Sequence, residues 1–96
     1  MMISFHPDVV EELNAAVDYY ENLAEGLGVE FADEVFSGIE LISRFPEAWS
    51  DLSSGFRRCL IRRFPYGLIY RKDNDEIYIL AIMQMNREPG YWKSRR

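Results

Sequence analysis

Two segments near the start of the chain repeat apolar residues at helical spacing. Apolar side chains recur about every three to four residues from Pro7 to about Ala24, with charged and polar side chains opposite them. His6-Pro7-Asp8 is typical of a helix start, and two glycines within residues 26–28 interrupt the pattern. A second amphipathic helix is predicted from about Val29 to Arg44, ended by Phe45-Pro46. The short connection predicts an antiparallel helical hairpin.

The hydrophobic period changes to about two residues in the second half of the chain. After a predicted loop from Glu47 to Gly55, alternation predicts three strands, at Phe56–Phe64, Tyr66–Arg71 and Glu76 to about Gln84. Tight connections at Pro65 and at Lys72–Asp75 predict that these strands form an antiparallel meander. A short β-prone segment, Ile3–Phe5, precedes the first helix. We therefore expect a single α+β domain over residues 1–96, in which the helical hairpin covers one face of the sheet.

Charge is divided unevenly between the two halves of the chain. Residues 1–55 carry twelve acids and one arginine, whereas residues 56–96 carry ten bases and four acids, so their formal charges are −11 and +6. Such asymmetry indicates an anionic partner on the cationic half. The alternative is that acids only solubilise the helices, while the strands carry arginine without a partner.

Several classes of site are poorly supported by the residues present. With one cysteine and one histidine, an internal disulfide is impossible and a zinc site is improbable, and no glycine-rich phosphate loop occurs. We expect no metal and no cofactor. Cys59 is interpreted as a small apolar strand residue, with an activated thiol as the less favoured alternative. The start of the chain does not resemble a signal peptide, and its longest apolar stretch, Ile77–Met83, is too short to span a bilayer. A cytoplasmic protein without membrane contact is expected.

Arginine occurs in two groups in the cationic half. Alternation along the first predicted strand places Arg58 and Arg62 on one face and Arg57 and Arg63 on the other. The C-terminal group interleaves bases with aromatic residues: Arg87, Tyr91, Trp92, Lys93, Arg95 and Arg96. Exposed aromatics beside arginine suit single-stranded nucleic acid, and they suit a protein interface equally well. Because these residues follow the last predicted strand, we expect their removal to leave the fold intact.

Three segments of the cationic half, together with parts of the first helix, resemble a known superfamily. The resemblance rests on Arg62–Tyr66 followed by Leu68-Ile69-Tyr70, on the apolar strand Ile77–Ile82, and on Arg87–Arg95; it extends to Phe5-His6-Pro7 and Asp18-Tyr19-Tyr20. These segments are similar to those of the RelE/ParE superfamily of type II toxin–antitoxin toxins, and closest to its ParE-like, plasmid-stabilisation branch. The resemblance implies a toxin fold and a cognate antitoxin that wraps around the toxin and contacts the sheet.

Two activities occur in this superfamily, and the sequence departs from both patterns. RelE-like members cut mRNA in the ribosome, whereas ParE-like members are associated with poisoning DNA gyrase. Gly67 stands where RelE-like toxins place a catalytic arginine, and Arg58 and Leu60 replace their lysine pair, although Arg87 is kept. RNA cleavage needs a proton acceptor, a proton donor and cations. One arginine and one tyrosine at the matching positions supply only part of these groups. The ParE-like branch often ends its last strand in histidine followed by a basic pair, where this chain has Gln84, Asn86 and Glu88.

These observations lead to one hypothesis and two alternatives. We expect a toxin that is neutralised by a cognate antitoxin and that acts by binding and poisoning DNA gyrase. An enzymatic step is less favoured, because the RelE-like ribonuclease residues are only partly present, and no catalytic residues are assigned. The residues expected to bind the target are Arg58, Arg62, Arg87, Tyr91, Trp92, Lys93 and Arg95. The alternatives are a ribosome-dependent mRNA endoribonuclease, and a non-toxic homologue that forms an autorepressing complex with its antitoxin.

Overall fold

The computed structural model describes residues 2–95 of the chain and contains two helices and five strands. In chain order these are β1 (Met2–Phe5), α1 (Pro7–Leu23), α2 (Leu27–Arg44), β2 (Asp51–Ser53), β3 (Phe56–Leu60), β4 (Tyr66–Asp73) and β5 (Glu76–Gln84), followed by one turn of 3₁₀ helix at Tyr91–Ser94. The strands form one sheet in the order β1-β5-β4-β3-β2, with β1 parallel to β5 and the other pairs antiparallel. The predicted α+β architecture and its meander are confirmed.

Each helix of the hairpin is capped at its N-terminus. The imidazole Nδ1 of His6 accepts the N–H of Asp8, so His6 caps α1, and Pro7 occupies the first turn as expected. The carboxylate of Glu21 accepts the N–H groups of Gly26 and Gly28 at 2.8 and 2.9 Å, so α1 caps the start of α2. A Cβ on Gly28 would lie 2.6 Å from the Val17 carbonyl oxygen, and glycine therefore permits the close approach of the two helices.

One face of the sheet packs on the helices and forms the main core. Phe31, Val35 and Ile42 of α2 are fully buried against strand residues that include Leu68 and Tyr70. An aromatic cluster closes one end of this core and consists of Tyr20, Phe31, Phe64 and Tyr66. These aromatic residues are packing residues, because their rings contact one another between the layers.

The opposite face of the sheet is covered by the C-terminal tail, defined here as Tyr91–Arg95. Trp92 is only 3% exposed and packs with Ile69, Leu80 and Met83, and its ring meets that of Phe56 edge-on at 5.0 Å. The expectation that removing the tail leaves the fold intact is therefore wrong, because the tail supplies the cover of a second core. The remaining tail residue of the cationic group, Arg96, lies outside the described residues.

Two further predictions about the first part of the sheet are corrected. The strand predicted to reach Phe64 ends at Leu60, because the chain bends and Arg63 takes a left-handed conformation with φ of 72°. Because Arg62 and Arg63 lie beyond the end of the strand, the alternation of side chains does not determine which face of the sheet they occupy. The segment predicted as a loop contains β2, which pairs with β3 opposite Phe56 and Arg57.

A bulge in β5 divides its apolar residues between the two cores. The pairing with β4 shifts between Ile69 and Tyr70, and this shift leaves Leu80 without an opposite residue. Ile79 before the bulge and Ile82 after it face the helices, whereas Leu80 and Ala81 both face the tail. The unbroken apolar run of β5 thus serves both faces of the sheet.

Replacing Trp92 tests whether the tail belongs to the fold. Trp92→Ala should lower the free energy of unfolding by about 3 kcal/mol or more, because it removes a buried ring and leaves a cavity. Urea denaturation followed by circular dichroism measures the change. The matched control is Val10→Ala on the exposed side of α1, which should stay within about 0.5 kcal/mol of the wild-type protein. Equal stability of Trp92→Ala and the wild-type protein would show that the tail is only an appendage.

Candidate functional site

An ion pair covers the part of β5 that β1 leaves open. β1 pairs with β5 only as far as Ile79, so no strand among residues 2–95 neighbours the later residues of β5 on that side. Oε1 of Glu12 accepts the N–H of Ile82 at 2.9 Å, and Nη1 of Arg95 donates to the Leu80 carbonyl at 2.9 Å. Arg95 also donates two hydrogen bonds to the Glu12 carboxylate, at 3.0 and 2.9 Å. This edge ion pair, Glu12–Arg95, satisfies backbone groups that a further strand would otherwise bond.

Tyr91 joins the edge ion pair to Arg87. The Tyr91 hydroxyl donates to Oε2 of Glu12 at 2.6 Å. Burial, reinforced by this hydrogen bond, raises the pKa of Tyr91 well above its ordinary value, so the phenol stays protonated at neutral pH. The guanidinium carbon of Arg87 lies 3.6 Å from the centroid of the Tyr91 ring, which is a cation–π contact. Arg87 is thereby held in place by the ring, while its charge has no partner of opposite sign there.

The residues predicted to bind the target do not converge on one site. Arg87 lines a hollow of about 310 Å³ beside α1, whereas Arg58, Trp92 and Lys93 line one of about 150 Å³ on the tail side of the sheet. We call these the α1 hollow and the tail-face hollow. Arg62 lies apart from both, in a shallow depression of about 430 Å³ beside α2. Two of the aromatic and basic tail residues, Trp92 and Arg95, are largely buried, and they support the site from beneath instead of projecting from it.

Gly67 provides the place in which Arg58 lies. A Cβ built on Gly67 would be 3.0 Å from Cγ of Arg58 and 3.1 Å from its Cδ. The methylene chain of Arg58 on β3 therefore passes over the bare backbone of β4, toward the tail-face hollow. The glycine that departs from the RelE-like pattern thus leaves room for Arg58, since a Cβ at position 67 would require the Arg58 side chain to shift by a few tenths of an ångström.

Most other arginines are engaged within the described part of the chain. Arg57 donates to the Trp49 carbonyl, Arg63 pairs with Glu30 at 2.6 Å, and Arg71 pairs with Asp73 at 2.8 Å. Within residues 2–95, six bases form no ion pair with a carboxylate: Arg57, Arg58, Arg62, Lys72, Arg87 and Lys93. Four of these six, Arg58, Arg62, Arg87 and Lys93, are residues predicted from the sequence to bind the target. Their charges are available to an outside partner.

Comparison with known proteins places this arrangement in a family. The sequence profile described as "ParE toxin of type II toxin-antitoxin system, parDE" matches residues 3–89. The chain belongs to the ParE toxin family. The predicted RelE/ParE resemblance is confirmed, and membership of a toxin–antitoxin family implies an antitoxin partner.

A solved structure shows the same fold. The structure described as "Chromosomal ParDE TA system from P. aeruginosa" aligns with a TM-score of 0.67, covering 88% of this chain and 95% of that chain at 18% sequence identity. Comparison with curated protein sequences gives no significant match. The ParE family profile includes Arg58, Arg62 and Arg87 but ends before the tail that covers the second core.

Three side chains of this ParE-family protein that often act in catalysis, those of Cys59, His6 and Tyr91, are buried or engaged in other contacts. Cys59 is buried, and burial raises the pKa of its thiol to about 11, so it is not an activated nucleophile. Nδ1 of His6 serves the helix cap, and the Tyr91 hydroxyl is bound to Glu12. Residues 2–95 contain no group of three or more His, Cys, Asp or Glu side chains that could hold a metal ion, and no helix among them is long and apolar enough to cross a membrane.

Sequence reasoning missed Glu12 as a residue of the site. It was one of several acids on the polar side of the first predicted helix, and the periodicity of α1 does not distinguish it from Glu11. Its partners Ile82, Tyr91 and Arg95 lie 70 to 83 residues away. No local sequence pattern encodes contacts at that distance.

A double-mutant cycle tests the edge ion pair. Glu12→Ala and Arg95→Ala should each lower the free energy of unfolding by about 2–4 kcal/mol. Arg95→Ala leaves the nearly buried Glu12 without its cation, and Glu12→Ala leaves Arg95 only the longer contact of 3.6 Å with the exposed Asp8. The double variant should lose less than the sum of the two changes, as measured by urea denaturation. The exposed pair Glu40–Arg44 is the control, and its cycle should give a coupling of at most about 0.5 kcal/mol. Additive losses at Glu12 and Arg95 would contradict their action as a pair.

Proposed function

We propose that this ParE-family protein is the toxin of a type II toxin–antitoxin pair and stops growth by binding and poisoning DNA gyrase. The observation that carries the proposal is that Arg58, Arg62, Arg87 and Lys93 are free of ion pairs within residues 2–95. The Tyr91 hydroxyl beside Arg87 stays protonated and donates to Glu12, so it is not placed to act as a base. Such a surface is suited to docking by charge. A cytoplasmic location and a role in plasmid stabilisation belong to the same proposal.

The tail-face hollow is the proposed anchor point for the target. Arg58 and Lys93 supply two positive charges at its rim, and the buried Trp92 gives it a rigid base. Leu52 of β2, which is 38% exposed, contributes an apolar wall. Arginine beside apolar surface is typical of the residues that contribute most to protein–protein affinity. The chemistry therefore favours an acidic protein surface as the ligand of this hollow.

A ribosome-dependent endoribonuclease is the second candidate, and the presence of Arg87 beside Tyr91 is the observation that favours it. Two features favour the docking function over this candidate. The Tyr91 hydroxyl donates to Glu12, and the burial that raises its pKa opposes its use as a base. In addition, Arg87 and Arg58 line different hollows, so they do not surround one reacting phosphate.

Expression without an antitoxin distinguishes the three functions. The proposal predicts growth arrest with an induced DNA-damage response, and inhibition of supercoiling when the purified protein is added to purified gyrase. Cleaved mRNA with intact DNA would overturn the gyrase proposal in favour of the ribonuclease. Normal growth, with the protein folded and present, would leave the non-toxic homologue.

Substitutions around the tail-face hollow locate the target-binding residues. Arg58→Ala should weaken gyrase inhibition by about tenfold or more, because it removes one of the two charges at the rim of the hollow. Gly67→Ala should weaken inhibition less than Arg58→Ala, because the added Cβ keeps the charge and requires the Arg58 methylenes to shift by only a few tenths of an ångström. The control is Arg44→Ala, an exposed arginine at the end of α2, which should retain full inhibition. The half-inhibitory concentration in a supercoiling assay measures each effect, and full activity of both site variants would refute the assignment.

A further inference from the structure

The α1 hollow lies on the helix side of β5, away from the tail-face hollow. It is lined by Glu12, Ala15, Ala16 and Tyr19 from α1 and by Tyr66, Ile82 and Gln84 from the sheet, with Arg87 beside them. Ala16 and Ile82 are buried and form an apolar floor, whereas Tyr19 is 58% exposed at the rim. A volume of about 310 Å³ is enough for one or two side chains of a partner. The hollow thus combines an apolar floor with one cation, Arg87, and one acid, Glu12.

Arg87 forms no ion pair with a carboxylate of residues 2–95, even though Glu12 lines the same hollow. Both oxygens of Glu12 are already hydrogen-bonded to other groups. Oε1 accepts from Ile82 and Arg95, and Oε2 accepts from Tyr91 and Arg95. Arg87 is therefore oriented by the Tyr91 ring but is not neutralised by Glu12. One negative charge supplied from outside would complete the site.

The surroundings favour a single carboxylate over a nucleic-acid backbone. The helix that forms one wall of the hollow, α1, carries five acids: Asp8, Glu11, Glu12, Asp18 and Glu21. A phosphate backbone brings a charge with every nucleotide, and these acids would repel its other phosphates within a Debye length of about 8 Å. A protein segment can present one carboxylate beside apolar side chains, and that pattern matches one arginine above an apolar floor.

We infer that the α1 hollow is the place where the antitoxin seats one acidic side chain on Arg87, with a neighbouring apolar side chain against Ala16 and Ile82. The inference rests on the proposed function in naming the antitoxin as the occupant. It assigns the neutralising partner to the helix side of the sheet and the cellular target to the tail side. Arg87, expected from the sequence to bind the target, then serves the antitoxin first.

The affinity of the purified protein for its cognate antitoxin tests this inference, measured by titration calorimetry. Arg87→Glu should weaken binding by about 100-fold or more, because it places a second negative charge against the partner's acid, and Arg87→Ala should weaken it by about tenfold or more. The control Arg44→Glu makes the same change of charge on exposed α2 and should alter affinity less than about threefold. Circular dichroism verifies that each variant is folded.

A charge swap identifies the partner group. Each Asp and Glu of the antitoxin is changed singly to Arg, and one of these variants should restore binding to Arg87→Glu while binding the wild-type protein more weakly. Unchanged affinity of Arg87→Glu for the antitoxin overturns the inference, and so does the failure of every swap.

A short single-stranded oligonucleotide is titrated in parallel. If Arg87→Glu abolishes its binding and spares the antitoxin, the ligand is phosphate and the inference is wrong. Gyrase inhibition by the wild-type protein is measured in a separate assay. If the protein does not inhibit gyrase, the proposal about the target fails, and the measured affinity for the antitoxin still tests the inference about Arg87.

Discussion

The edge ion pair between Glu12 and Arg95 is the interaction on which the two halves of this protein depend. β1 is short because the chain must turn into α1 at His6, and an exposed length of β5 is left beyond it. An open strand edge can pair with another chain, and proteins protect such edges in several ways. Here a bidentate ion pair covers the edge; its members come from opposite ends of the chain, and the side chains of Glu12 and Arg95 are 13% and 12% exposed. It fastens the tail to the acidic helix and closes the sheet in the same contact.

The bulge at Leu80 makes that arrangement possible. The carbonyl of the extra residue, Leu80, and the N–H of Ile82 are both hydrogen-bonded to the ion pair. The side chains of Leu80 and Ala81, although consecutive, both face the tail. A strand without the bulge would alternate strictly and would send only every second residue to the tail side. The second core under Trp92 and the closed edge therefore have one structural origin. This also explains why so short a domain can bury both faces of a sheet with only two helices.

The sequence predicted the parts of this fold that depend on local patterns. Both helices were found because periodicity and proline mark them, and α2 ends at Arg44 as expected, although it begins at Leu27 because Glu21 of α1 caps it. The errors occurred where a distant contact decides the conformation. Trp92 looked like an exposed anchor because nothing near it in sequence reveals the second core, and β3 stops short of Arg62 because Arg63 adopts a positive φ. The two groups of arginine are visible in the sequence, but which arginines lie together depends on the sheet.

Under the two proposals, the tail has a further role as the element between two binding surfaces. Tyr91 supports Arg87 at the α1 hollow, and the next two residues, Trp92 and Lys93, line the tail-face hollow. A partner that moves Arg87 therefore acts on a ring that is bonded to Glu12 and covalently adjacent to the base of the other hollow. Coupling between two sites requires a physical connection, and the tail supplies one between the two hollows.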